Sequence, residues 1–464
     1  MTTGPESDDA RPSRLPQAPG SVSWPKLFRR TAAAALSVSA LWLGPTAAAK
    51  PSPGAGMDVL DYSVRLRPYL AGRAVSGETA VTFRSTQEPL REIAVSANAL
   101  SMDKATIDGR PVRAELRDGA WVFQLPRPLR PGQRAVLKAN HHGAPRRGVA
   151  FGPQSVHASY WACDWMLCAQ DRPGDKASFS LALELPPGMI SVGPGRKLAE
   201  RALPSGGRLH LWREARPYSA YLFGFSAGDF AQASNQAGRV ELVYLSDAAS
   251  APELPALFSP TAAMLRWFEG KAGVAFPHGR YTQVLTAGSA AQELVSHALI
   301  GRTFLHPILQ TPQEDWVIAH ELAHQWWGNL VTCESWSEFW LNEGVTTFMV
   351  AAWKEHRWGR PAYDREMALA RAARKRAADA GFDKPLSWSG DYPSLGVRRA
   401  VQYSKGALFM DALRTEMGER TFWAGLKRFT RTHAGGVVNS RDLQRAMEAE
   451  AGRSLQPLFD AWVY

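Results

Sequence analysis

From residue 57 to about 232 the chain alternates apolar and polar positions in short runs, with Val64, Leu66, Val81 and Phe83 typical of the apolar set. A period of two places every second side chain on one face, which predicts half-buried strands. Turn-forming sequences punctuate the runs: Asp108-Gly109, Pro131-Gly132, Pro187-Gly188 and Ser205-Gly206-Gly207. Such spacing predicts a sandwich or a curved mixed sheet. From about 237 the texture changes. One more strand-like run, 240–245, precedes segments of helical period at 259–271, 313–328, 340–357, 362–379, 403–417, 420–433 and 440–450. Asn439-Ser440 offers an N-terminal cap for the last helix. The pattern predicts an all-β N-terminal domain followed by a mainly helical one.

A length of 464 residues allows two to four domains at about 150 residues each. A hydrophobic share of 45% against 21% charged is enough for sizeable cores, so disorder is expected only near the ends. The formal charge of +11 comes from dispersed arginines without a dense basic run. Such a balance leans towards anionic surroundings such as a membrane surface or nucleic acid, but an unspecialised basic surface with no nucleic-acid partner is the reading taken. The N-terminus changes the picture more. A polar stretch, then Lys26-Leu27-Phe28-Arg29-Arg30, the apolar run 31–43 and Ala47-Ala48-Ala49 have the order of an export signal. The apolar run is short for a membrane span, although an uncleaved anchor is the alternative reading. Residues 1–49 are therefore expected to direct export to a periplasmic or extracellular location, with no span in the mature chain. In an oxidising compartment Cys163 and Cys168 either close a small loop or remain thiols. Cys333 is expected as a small buried residue rather than a ligand.

The chemistry concentrates in His320-Glu321-Leu322-Ala323-His324. On a helix, residues four apart share a face, so both imidazoles can reach one metal. Two histidines alone hold zinc poorly, and a catalytic site needs a third protein ligand with one position left open. Glu343, in Trp340-Leu341-Asn342-Glu343-Gly344, supplies it after an interval suited to helix–loop–helix. Glu321, between the two histidines, is placed to take a proton from water acidified by the metal. An H-E-x-x-H run arises by chance in about one chain of this length in a hundred. Glu343 and the surrounding Trp326, Trp327, Trp336 and Trp340 argue against chance.

The stretch His320-Glu-Leu-Ala-His-Gln-Trp-Trp-Gly-Asn-Leu-Val-Thr332 resembles the zinc helix of the aminopeptidase-N family of gluzincin metallopeptidases. Trp340–Gly344 resembles its third-ligand motif, Val401-Gln-Tyr-Ser-Lys-Gly-Ala407 its tyrosine motif, and 221–230 the strand closing its N-terminal domain. Residues 170–176 are weakly similar to its N-domain signature. The resemblance implies an α+β multidomain chain: a saddle-like β domain at 50–234 and a thermolysin-like zinc peptidase domain at 235–464. It implies one zinc per chain on His320, His324 and Glu343, Glu321 as general base, and Tyr403 on the oxyanion. The substrate-anchoring strand departs from the family's G-x-M-E-N, reading Gly288-Ser-Ala-Ala-Gln-Glu-Leu294. Glu293 is expected to bind the substrate's amine, with Gln292 and Gly288 beside it. The family's N-domain amine ligand has no counterpart near 161–168, where only Asp164 could substitute. No large helical domain follows before Tyr464, so the expected cleft is open and favours extended peptides, or a homo-oligomer rebuilds its wall. The function expected is a zinc aminopeptidase acting on peptides. A zinc endopeptidase or an epoxide hydrolase on the same scaffold is the alternative. A non-enzymatic binding relative would need neither Glu321 nor Tyr403.

Overall fold

The computed structural model describes residues 50–169 and 172–464. The expected export segment, and Gln170 and Asp171 of the 170–176 stretch, lie outside the described residues. Alternation becomes strand where expected. In Lys176–Leu185, Ala177, Phe179, Leu181, Leu183 and Leu185 are buried while the intervening positions are partly exposed. Eight strands form the main sheet, in the order 196–202, 208–219, 176–185, 57–69, 74–85, 134–143, 101–107 and 110–112. Its pairs are antiparallel except Met57–Tyr69 with Lys176–Leu185. A four-stranded and a three-stranded sheet complete the β domain.

The second half opens with a five-stranded sheet in the order Ala231–Ala237, Val240–Ser246, Arg280–Thr286, His297–Gly301 and Ala291–Gln292. Its first strand straddles the boundary expected at 234/235. Neighbouring residues serve opposite cores. Leu242, Tyr244, Tyr281 and Leu285 join the helical core, whereas Val243, Leu245 and Val284 join the core of the β domain. A parallel sheet covered on both faces reads as a continuous apolar run rather than an alternation. Arg280–Thr286 and His297–Gly301 are buried on both faces with no alternation of apolar and polar residues, so they escape the period-two reading.

The helices fall close to their expected segments. Asn439 caps Ser440–Ala451 with its side chain on the backbone of Asp442, whose carboxylate returns to Asn439 N–H. Two differences bear on the site. The metal-site helix is shorter than 313–328, running Trp316–Ala323. Tyr403 lies in a π-helical turn, Ala400–Lys405, ahead of the α-helix Gly406–Met417. No helix among the described residues is long and apolar enough to cross a membrane.

Candidate active site

His320 and His324 lie one turn apart at the end of Trp316–Ala323, with ring planes nearly perpendicular and Nε2 atoms 3.0 Å apart. The His324 Nδ1 sits 3.0 Å from the Trp327 carbonyl, which fixes that nitrogen as the donor and leaves the Nε2 lone pair facing His320. Only glycine fits at 328. Its φ is 128°, and a Cβ there would meet His324 Nδ1 at 2.8 Å.

Glu343 comes from the first turn of Trp340–Trp358 and is buried. Its Oε2 lies 3.3 Å from Nε2 of each histidine yet has no hydrogen-bond partner. Three inward lone pairs at these separations suit one tetrahedral cation, since bonds of about 2.0 Å give edges of about 3.3 Å. The electrostatics agree. Burial opposes charge on His324, but Glu343, Glu293 and Glu321 push its imidazolium up to about 10. Burial also opposes ionisation of Glu343, but His324 and His320 hold it well below the usual carboxylate range. The buried carboxylates make this point favourable for a cation, so the residues fit zinc. They form the one His/Cys/Asp/Glu group of metal-ligand geometry among the described residues.

Glu321 is buried, and desolvation with the charges of Glu293 and Glu343 raises its carboxyl well above the ordinary value. A bound dication opposes both charge terms and favours the ionised, proton-accepting form. Tyr403 stacks its ring on His320 with an interplanar angle of 8°, and burial and the facing Glu343 carboxylate raise its hydroxyl well above the usual phenol range. A glycine contact joins the two helices: a Cβ on Gly344 would meet the Gly406 Cα at 2.7 Å. This close approach, together with the π turn, brings Tyr403 to Glu343.

The strand side is assembled by longer-range bonds. Asn329 Nδ2 donates to the Glu293 carbonyl at 2.9 Å, and Gln325 Nε2 to the Leu294 carbonyl at 3.0 Å. The Gln and Asn of the motif thus stitch the zinc helix to the exit of the edge strand. Glu293 is buried, with a carboxyl raised by desolvation, partly offset by His324. The other strand-side residues stand elsewhere. The Gln292 side chain turns to the β domain, accepting from Tyr160 N–H and donating to the Tyr221 carbonyl, so its amide is committed to structure. Gly288 is exposed in the loop before the strand, its carbonyl against Gly301. Asp164 cannot serve as the N-domain amine ligand: it is buried in a two-pronged bond to Arg147, at 3.1 and 3.2 Å. Cys163 and Cys168 form a disulfide, and Cys333 is buried outside the metal group. Sequence reasoning missed Tyr160, whose hydroxyl donates to the Ala291 carbonyl. No local pattern marks a contact between positions 131 residues apart.

Residues 258–462 match the model of the peptidase family M1 domain. "Aminopeptidase 2" of Candida albicans is 22% identical over 436 residues, covering 87% of this chain and 46% of that protein. "Leucine aminopeptidase 2" of Emericella nidulans is 28% identical over 343 residues, covering 67% of this chain and 51% of its own length. The chain spans about half the length of these relatives. Among solved structures, an M1 zinc metallopeptidase from Deinococcus radiodurans superposes with a TM-score of 0.73 at 24% identity, over 88% of this chain and 94% of that one. That likeness establishes the shared fold.

Proposed function

Because residues 258–462 match the peptidase family M1 domain, we infer that this chain is a zinc aminopeptidase. The observation that carries the reading is the convergence of His320, His324 and Glu343 on one point, with Glu321 and Glu293 buried beside it. When bound, zinc supplies Lewis acidity to a carbonyl and to water. Glu321 takes the proton of the attacking water and passes it to the leaving amine. The Tyr403 hydroxyl donates to the oxygen that gains negative charge, a bond worth most where water is excluded. Glu293 pairs with the substrate's terminal ammonium, which a buried carboxylate favours over a neutral amide. The names of the curated relatives support the same substrate class, peptides with a free N-terminus. Export belongs to the proposal: the 26–49 pattern and the Cys163–Cys168 disulfide both suit an oxidising compartment.

The test compares zinc-loaded protein on a peptide and on its N-acetylated form. Turnover of the free peptide with at least a tenfold loss on acetylation is expected, since the charged contact to Glu293 disappears. Equal rates on both would overturn the exopeptidase reading and leave the endopeptidase. N-terminal sequencing of the mature protein tests export, with a start near residue 50 expected.

A further inference from the structure

Among the described residues the edge strand Ala291–Gln292 pairs on one side only, with His297–Gly301. Gly301 N–H donates to the Ala290 carbonyl, so Ala290 points into the sheet and the next carbonyl, that of Ala291, points outward. A free edge of this kind accepts a peptide main chain as an added strand. Here the edge is already taken. Tyr160 of the β domain donates its hydroxyl to the Ala291 carbonyl, and its own backbone N–H goes to the Gln292 side chain. A single side chain thereby occupies the place of a strand, immediately before Glu293.

The surroundings hold Tyr160 to this task. Its φ is 59°, a conformation that residues with a bulky side chain seldom adopt. Ser159 N–H is bonded to the Gly148 carbonyl at 2.7 Å, and Trp161 lies under the Arg147 guanidinium at 4.3 Å. Arg147 is in turn bonded to Asp164, and the Cys163–Cys168 disulfide closes the segment that follows. Tyr160 nevertheless stays 39% exposed, so it borders open space rather than a core. The carboxylates of Glu321 and Glu293 act on its hydroxyl, which places it at the catalytic cleft.

We propose that Tyr160 is a specificity residue of the zinc site: it caps the edge strand so that a peptide main chain cannot extend the sheet at Ala291, and the substrate is held through its terminal amine. The proposal rests on the aminopeptidase reading and names the device that withholds affinity from longer chains. It runs against the preference for extended peptides expected from an open cleft.

Binding, rather than turnover, tests it. In a Glu321→Gln background loaded with zinc, calorimetry would measure an aminoacyl amide, a tetrapeptide and an octapeptide sharing one N-terminal residue. Their affinities should lie within about twofold of one another with Tyr160 present. Tyr160→Phe keeps the ring and frees the carbonyl. Octapeptide affinity should then rise about fivefold, the worth of one main-chain hydrogen bond, with the amide unchanged. Tyr160→Gly suits the positive φ, opens the edge fully and should raise binding of the N-acetylated octapeptide by a larger factor. An unchanged length series in both variants, or equal losses for all ligands, would overturn the cap. Failure of the aminopeptidase reading has a different signature: wild-type protein would cleave free and N-acetylated peptides at equal rates, or cleave neither, whatever the binding series shows.

Discussion

On the helical wall of the cleft, the functional groups hang from two helices and the π turn, and neighbours four or fewer residues apart do much of the positioning. His320, Glu321 and His324 share one turn, and Gly344 lets the helix of Glu343 touch the helix that follows Tyr403. On the strand wall, contacts span the chain. Tyr160 reaches Ala291 and Gln292, and Asn329 reaches Glu293. The first wall is set by helical geometry and, in the proposed function, carries the metal and proton chemistry. The second depends on two domains packing together and, in the same proposal, decides what is held. Changes on the helical wall should therefore fall on kcat, and changes on the strand wall on KM and substrate choice.

The largest effect should follow loss of a ligand. His324→Ala or Glu343→Ala removes one of three metal donors, and kcat/KM should drop on the order of a thousandfold or more, with metal content below one per chain. Retained zinc and activity in either variant would break the assignment of the helical wall. A chelator should silence the wild-type protein, and added zinc restore it. Glu321→Gln comes next: zinc stays, while kcat falls on the order of a hundredfold to ten-thousandfold because the proton acceptor is gone. Metal analysis beside steady-state kinetics separates these two behaviours.

Tyr403→Phe should lower kcat on the order of a hundredfold with KM nearly unchanged, because its bond forms where charge develops. A change confined to KM would move Tyr403 from the chemistry to the binding wall. Glu293→Gln gives the opposite split. KM for free-amine peptides should rise on the order of tenfold to a hundredfold, from about 1.5–3 kcal/mol in a bond to a charged group. N-acetylated peptides should be little affected, and equal losses on both would make Glu293 structural.

The two walls also differ in how far the sequence reveals them. His320, His324 and Glu343 could be found because a helix turns spacing into geometry, and the structure brings the three together. Tyr403 was singled out through its motif, but the π turn in which it lies leaves no periodic trace. Across the cleft, Glu293 was visible as the residue that survives in a strand departing from G-x-M-E-N, whereas Gln292 was read as a substrate contact and its side chain instead ties two domains. Asp164 was the only acid near 161–168 that could substitute, and the structure gives it to Arg147. The burial of the five-stranded sheet between two cores was hidden for the same reason: an apolar run shows that a strand is buried, not against what.

The smallest effect tests whether the two halves share one acid weakness. His141, in strand 134–143 of the β domain, bonds Thr79 Oγ1 through Nε2 at 2.8 Å and leaves Nδ1 without a partner. His297, in the strand that pairs with the cleft edge, bonds the Val295 carbonyl through Nδ1 and leaves Nε2 without one. Burial pushes both down from 6.5 to about 4. A base with a folded-state pKa below its unfolded value binds protons more readily when unfolded. Its stability contribution is complete above the unfolded pKa and is lost as pH falls from 6.5 towards 4. Each histidine should remove about 2 kcal/mol by pH 5, measured by urea unfolding against pH 7.5. His297→Asn keeps a donor near the Val295 carbonyl but cannot titrate, so its pH slope should flatten by that amount. His141→Asn should flatten the slope similarly while leaving KM alone, because strand 134–143 does not border the cleft. If both variants kept the wild-type slope, acid sensitivity would arise from the carboxylates and His324 around the metal, and the strand wall would hold firm until that site fails.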